Sequence, residues 1–172
     1  MNAVVIATYN EAQNAPQLVM QIRKLQPNVL IVLVDDNSPD NTARIVDALN
    51  DAKVHIVVRD SGTRGYGTAV RDGLLKAVAL GADRIATMDA DFSHDPKELG
   101  AMLAGLEESD VTIGSRYIGG VRILNWPMKR LLLSLFANFY VRLILGLRIT
   151  DCTSGYRAYR SSLLQSMNLE TI

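Results

Sequence analysis

Short apolar runs alternate along this chain with longer stretches of helical periodicity. The runs are AVVIATY at 3–9, VLIVLVDD at 29–36, VHIVVRD at 54–60, RIATMDAD at 84–91 and DVTIGSRY at 110–117. Between them lie PQLVMQIRKLQ at 16–26, PDNTARIVDALN at 39–50, GTAVRDGLLKAVALG at 67–81 and PKELGAMLAGLEE at 96–108. The unbroken Val/Ile/Leu content of the second run suits a strand buried on both faces. Ser38-Pro39 and Asp95-Pro96 each read as a cap residue followed by Pro at the first helical position. Gly81 suits a helix stop. Strand–helix alternation of this kind predicts an α/β fold, a mostly parallel sheet flanked by helices. No internal repeat, low-complexity segment or linker interrupts it.

In an open parallel sheet, ligands bind beyond the carboxyl ends of the strands. The residues that follow each run are therefore the ones to inspect. They are Tyr9-Asn10-Glu11, Asp35-Asp36-Asn37, Arg59-Asp60, Asp89-Ala90-Asp91 and Ser115-Arg116, and most are charged. Asp89 and Asp91, at i and i+2, can converge on one hard cation, with substrate phosphates completing the shell. The plainer alternative makes Asp91 the start of a turn, and Asp95 reads as a helix cap. An acid at 35 or 36 can accept hydrogen bonds from a nucleoside. The alternative is a cap for the helix at Pro39, and Asp36 is the preferred ligand of the two. Glu11 has the same choice, with a helix beginning near Pro16.

The glycines of SGTRGYGTAV at 61–70 do not form a P-loop pattern, and no G-x-G-x-x-G follows the first run, which argues against a nicotinamide dinucleotide. Arg64 on this segment sits beside a nucleotide, or the segment is a plain loop. His55 lies inside an apolar run and reads as structural. His94 lies beside the acids. No Ser-His-Asp set or Cys-His pair can be assembled.

Composition narrows the picture. The chain has 172 residues, enough for one domain with a real core. Its 18 basic and 18 acidic residues balance, which argues against a strongly basic nucleic-acid binder. The single Cys152 cannot form an internal disulfide and points to a reducing compartment. MNAVVIATYNE has neither a basic n-region nor a cleavage site, so it reads as a first strand rather than a signal peptide.

LLLSLFANFYVRLILGL at 131–147 is almost wholly apolar. It is shorter than the ~20 residues that span a bilayer and carries Arg142, so it is not expected to cross one. Arg130, Ser134, Asn138 and Arg142 recur every four residues and form one narrow polar stripe on a helix. Two readings stay open: a buried helix with a functional seam, or a helix in the membrane interface with its seam aimed at a polar lipid head. Lys129, Arg130 and Arg116 suit a phosphate-bearing partner.

Taken together, ATYNE at 7–11, VDDNSPDNT at 34–42, GTAVRDG at 67–73, MDADFSHDP at 88–96 and GSRY at 114–117 resemble the family 2 glycosyltransferases of the GT-A fold. NWPMKRLLLS at 125–134 and ANFYVRLILGLRITDCTSGYRAYR at 137–160 are similar to the dolichyl-phosphate, or polyprenyl-phosphate, mannosyltransferases. The resemblance implies transfer of mannose from GDP-mannose to a polyprenyl (dolichyl) phosphate with inversion, at the cytoplasmic face of a membrane. It implies that Tyr9, Glu11 and Asp36 hold the nucleoside, with backbone at Ala7 and Val34. Asp89, Ala90 and Asp91 would meet the diphosphate and a divalent cation, Mg²⁺ or Mn²⁺. Arg116, Arg130 and Ser134 would hold the acceptor phosphate. The catalytic set would be Asp89, Asp91, Arg116 and Arg130.

On this pattern residues 1–118 form a nucleotide-sugar-binding core. Residues 119–172 form an acceptor-binding, membrane-proximal helical part of the same domain. Two positions depart from the family: Ala7 stands where many members carry Pro, and Ser93 stands where some place a Gln as metal ligand. Members' catalytic domains usually continue past the equivalent of Ile172 with a further basic residue, and any transmembrane helices would also lie there. The nearest alternative is a family 2 enzyme using UDP-glucose or another nucleotide sugar, or a non-lipid acceptor. A nucleotidyltransferase would open with a Gly-rich loop and a basic residue, which ATYNEAQN lacks. A non-catalytic binding module would not need Asp89 and Asp91.

Overall fold

The five apolar runs become strands β1 (Asn2–Thr8), β2 (Leu30–Asp35), β3 (Val54–Val58), β4 (Arg84–Asp89) and β5 (Val111–Ile113), and a sixth strand, β6 (Arg157–Arg160), joins them. Among the described residues, six α-helices accompany them: α1 (Ala15–Leu25), α2 (Thr42–Asp47), α3 (Tyr66–Ala79), α4 (Leu99–Ala104), α5 (Met128–Leu145) and α6 (Ser161–Ser166). The computed structural model describes residues 1–60, 62, 64–118, 128–146 and 149–169, apart from the side chains at 130 and 131.

The described strands form one sheet in the order β3-β2-β1-β4-β6-β5. β1, β2, β3 and β4 pair in parallel, and β6 runs antiparallel to both β4 and β5. Side chains alternate across the pleat and build a core on each face. Val4, Ile6, Ile31, Leu33 and Met88 meet α1 and α4 through Leu18, Ile22, Leu99 and Leu103. Val5, Val32, Val34 and Ile85 meet Ala69, Leu74 and Ala77 of α3 on the other face. Every residue of β2 is buried, as its continuous apolar run requires. Helix α3 lies so close to the sheet that a Cβ at Gly73 would collide with Val5.

Several local expectations are met. Gly81 follows α3 with φ +81, a left-handed stop that costs glycine little. Asp95 caps the turn Pro96–Glu98 by accepting from the Lys97 backbone N–H at 3.0 Å. The expected helix at 96–108 is the short α4 between two 3-10 turns.

Others are corrected. Ser38 does not cap a helix at Pro39, because α2 opens only at Thr42. Asp35 captures the Ser38 backbone and hydroxyl, and Asp40 accepts from the Thr42 backbone N–H, so residues 35–41 become a bonded turn. Strand β6 was not anticipated. Its run, RAYR, is short and doubly charged, and it is recruited by pairing with β4 and β5 rather than by local pattern.

Candidate active site

The chain order reverses at β1, which has β2 on one side and β4 on the other. A crevice at such a switch point is where open α/β sheets take ligands. Register brings its residues together: Ala7 pairs with both Val34 and Asp89, and Thr8 pairs with Asp35. Asn10 (φ +60) and Asn37 (φ +55) turn the chain sharply past the strand ends, in a conformation Asn tolerates.

The two neighbouring acids divide their work. Asp35 accepts from Thr8 Oγ1 at 2.9 Å and from the Ser38 backbone N–H and hydroxyl at 2.7 Å each, so it organises the turn. Asp36 accepts from Arg59 Nη1 at 2.8 Å and from the Gly65 N–H at 2.9 Å. Arg59 is almost wholly buried, and it also reaches Asp72 at 3.0 Å and Thr68 Oγ1 at 2.7 Å. Tyr9 is half-exposed, and the Arg64 guanidinium lies 4.8 Å above its ring. Arg64 also donates to the Asp36 carbonyl and to the Tyr9 hydroxyl. Glu11 takes up a helix-starting role: its carbonyl accepts from the Asn14 and Ala15 N–H groups, and its carboxylate accepts from Asn14 Nδ2 at 2.8 Å.

At the end of β4, Asp89 is held from two sides. The Tyr66 hydroxyl donates to Oδ1 at 2.8 Å, and His94 Nε2 lies 3.8 Å from Oδ2. His94 belongs to the site as a support. Its Nδ1 accepts from the Asp89 backbone N–H at 3.1 Å, so the proton of the neutral ring sits on Nε2. The ring is buried and stacked on Tyr156 at 4.9 Å. Burial lowers its pKa, against the pull of Asp89 and Asp91 in the other direction. Burial raises the Tyr66 hydroxyl's pKa, and so does the Asp89 charge, so it remains a donor.

Asp91 is exposed and accepts from the Ser93 N–H at 2.9 Å. Burial pushes its pKa up, but the Ser93 hydroxyl and N–H outweigh this and hold it below the usual carboxylate range. Between the acids and the next helix, Phe92 has φ +59, costly for a bulky residue, and its ring packs against the core. Among the described residues, no group of three or more His, Cys, Asp or Glu side chains is arranged to hold a metal ion. Two hard carboxylates, Asp91 exposed and Asp89 partly so, are the donor type that suits a divalent cation sharing its shell with a diphosphate.

The second cluster centres on a residue that local spacing does not single out. Asp151 is completely buried and receives Arg116 through Nε at 2.7 Å, Nη2 at 2.8 Å and the backbone N–H at 3.1 Å. Arg116 Nη2 also donates to Thr153 Oγ1 at 2.6 Å. Ser134 joins the cluster: it accepts from the Tyr117 hydroxyl at 2.7 Å and lies 3.3 Å from Thr153 Oγ1. Asn138 is buried and accepts from the Cys152 N–H at 2.6 Å. The Arg130 side chain lies outside the described residues.

The polar stripe of α5 is thus not one outward seam. Ser134 and Asn138 face the protein's own loop at 150–153, whereas Arg142 is exposed. The bare surface of the helix is apolar, with Leu133 and Leu143 at 69% exposure and Phe136 at 64%. The helix is inverted relative to an ordinary surface helix. No described helix is long and apolar enough to cross a membrane.

This fold, with acids at the ends of β2 and β4, is of the GT-A type. The sequence profile of Glycosyl transferase family 2 matches residues 3–167, and the chain belongs to that family. It is 42% identical over 173 residues to the polyprenol monophosphomannose synthase of Mycolicibacterium smegmatis, covering 98% of this chain and 65% of that one. It is 38% identical over 170 residues to the undecaprenyl-phosphate mannosyltransferase of Micrococcus luteus, covering 98% of this chain and 70% of that one. Among solved structures, it resembles glucosyl-3-phosphoglycerate synthase from Mycobacterium tuberculosis in complex with Mn²⁺, UDP-glucose and phosphoglyceric acid. There the TM-score is 0.68 at 20% identity, over 97% of this chain and 59% of that one. The chain therefore spans roughly two thirds of the length of these relatives.

Proposed function

We propose that this chain is the catalytic core of an enzyme that moves mannose from GDP-mannose to a polyprenyl, or dolichyl, phosphate. The names of the two mannose-transferring relatives above support the sugar and the lipid-phosphate acceptor. The observation that carries the reading is the placement of α5. Its Ser134 reaches the Arg116–Asp151 pair through Thr153, while Leu133, Phe136, Phe139 and Leu143 on the same helix lie bare. A phosphate-suited polar cluster is thereby joined to a surface suited to acyl chains. The protein would bind peripherally, on the cytoplasmic face of its membrane.

On this reading Tyr9, Glu11 and Asp36, with backbone at Ala7 and Val34, hold the nucleoside. Asp89, Ala90 and Asp91 meet the diphosphate, and Ser93 braces Asp91. Mg²⁺ or Mn²⁺ held by Asp89 and Asp91 would neutralise charge on the departing diphosphate. Asp151 fixes the plane of the Arg116 guanidinium, and Arg116, Arg130 and Ser134 steady the acceptor phosphate. A lipid monophosphate has a second pKa near ~6 and is mostly ionised at neutral pH. No side chain has to act as general base. Direct attack by the phosphate oxygen on the anomeric carbon inverts that centre and gives a β-linked product.

The test is incubation with Mg²⁺ or Mn²⁺, a polyprenyl phosphate, and labelled GDP-mannose or UDP-glucose. Lipid-extractable mannose from GDP-mannose is the expected result. Lipid-linked glucose from UDP-glucose alone, or sugar found only on a water-soluble acceptor, would overturn the reading.

A further inference from the structure

Two consecutive residues at the start of α3 each hold an acid from a different strand. The Gly65 N–H donates to Asp36 Oδ2 at 2.9 Å, and the Tyr66 hydroxyl donates to Asp89 Oδ1 at 2.8 Å. Asp36 follows β2, Asp89 ends β4, and β1 lies between them. We propose that Tyr66 is a positioning residue of the donor site: it holds the Asp89 carboxylate in register with Asp36, so that one rigid segment sets the distance between the nucleoside end and the metal–diphosphate end. This rests on the donor-site reading above and adds a residue that no motif in the chain names.

The base from which Tyr66 projects is firmly tied. The Gly65 carbonyl accepts from Arg59 Nη1 at 3.2 Å, from Thr68 Oγ1 at 2.9 Å and from the Ala69 N–H at 2.9 Å. Arg59 carries the tie into the protein interior, with only 4% of its side chain exposed.

The far end of the phenol is equally confined. A Cβ added at Gly155 would lie 2.6 Å from the Tyr66 hydroxyl oxygen and 3.5 Å from Asp89 Oδ1. The hydroxyl therefore fills the gap between the 155 backbone and the carboxylate. Absence of a side chain at 155 is what leaves it room.

The ring itself is half-exposed. An aromatic residue there contributes little by burial, so its hydroxyl is what distinguishes it from Phe or Leu. A charge-assisted hydrogen bond to one carboxylate oxygen selects one rotamer of Asp89 and leaves the other oxygen 3.8 Å from His94 Nε2. Preorganised ligands bind more tightly because the ordering is already complete.

Tyr66→Phe isolates this contribution, since it keeps the ring and the helix. GDP binding is measured by calorimetry in EDTA and again with Mn²⁺, and bound Mn²⁺ is counted from the loss of its free resonance signal. In EDTA the variant should bind GDP as the parent does, because Asp36 is untouched. With Mn²⁺ its affinity for the ion and GDP should fall roughly tenfold, the equivalent of one hydrogen bond to a charged group. Gly155→Ala should produce a similar loss in the parent and a much smaller one in the Tyr66→Phe background, where the hydroxyl it would strike is gone. A Tyr66→Phe protein that binds Mn²⁺ and GDP as tightly as the parent overturns the role of Tyr66 and leaves the donor-site reading standing. A parent protein whose GDP binding ignores Mn²⁺ overturns the donor-site reading itself, and the role of Tyr66 with it.

Discussion

Arg116 and Asp151 form a two-pronged ion pair, with Nε to Oδ2 at 2.7 Å and Nη2 to Oδ1 at 2.8 Å. Asp151 is fully buried, and Arg116 keeps 18% of its side chain exposed. The pair ties the segment after β5 to the segment before β6. A buried carboxylate is expensive unless its lone pairs are taken up, and here the Arg116 side chain, the Arg116 backbone and Thr153 take them up.

This pair should make stability depend on acid pH. Burial alone would raise the Asp151 pKa, but the hydrogen bonds and charge of Arg116 outweigh it and bring it to about 2 from an ordinary 3.8. The folded value lies below the unfolded one. The pair's contribution is therefore fully present above the unfolded value and is lost as pH falls through about 4 towards 2, on the order of 2 kcal/mol. Urea midpoints at pH 7, 4 and 3 measure it. Asp151→Asn should lower the midpoint at pH 7 and flatten its decline in acid; a parallel decline in both proteins would show that other groups dominate.

Asp91→Ala should remove transfer while sparing the fold. Asp91 is exposed, and its side-chain partner in the structure is Ser93 in the same turn. Loss of a carboxylate that manages a metal–diphosphate centre costs several kcal/mol, so the rate should drop roughly a hundredfold or more. Mannose transfer and circular dichroism are read on the same sample. Near-parental transfer would remove Asp91 from the site.

Arg59 joins the buried Asp36 to the half-buried Asp72. Arg59→Met keeps much of the bulk but leaves the buried Asp36 without its cation, while Asp72 keeps Arg71. Destabilisation of about 3–5 kcal/mol is expected in urea titration at pH 7. Donor affinity should fall with it, because Asp36 and Gly65 lose a common tie. An unchanged urea midpoint would mean that solvent rescues Asp36.

The outer surface of α5 should govern membrane attachment. Phe136 and Phe139 are 64% and 63% exposed, so charged substitutes there disturb little packing. Phe136→Asp with Phe139→Asp should sharply reduce co-flotation with phospholipid vesicles and leave GDP binding unchanged. Undiminished co-flotation would assign the face to something other than lipid.

Much of the strand framework around the proposed donor site was legible from local pattern. The apolar runs mark strands, polar residues follow each run, and an Asp-x-Asp at a strand end needs only those two facts to suggest a cation. The turn at Asp95 was readable for the same reason, since Lys97 lies two residues on, whereas Arg59 and Gly65, the partners of Asp36, lie 23 and 29 residues away. Strand β6 and Asp151 were not readable that way. One depends on pairing with β4 and β5, and the other on an arginine 35 residues away.

Helix α5 shows the division most clearly. Its sequence determined that Ser134 and Asn138 lie on one stripe of an otherwise apolar helix, because 3.6 residues per turn decides which side chains share a side. Periodicity carries no information about which way that side points. Only the tertiary structure turned the stripe inward, because Asn138 and Ser134 find partners at Cys152, Thr153 and Tyr117, and the apolar surface was left facing out.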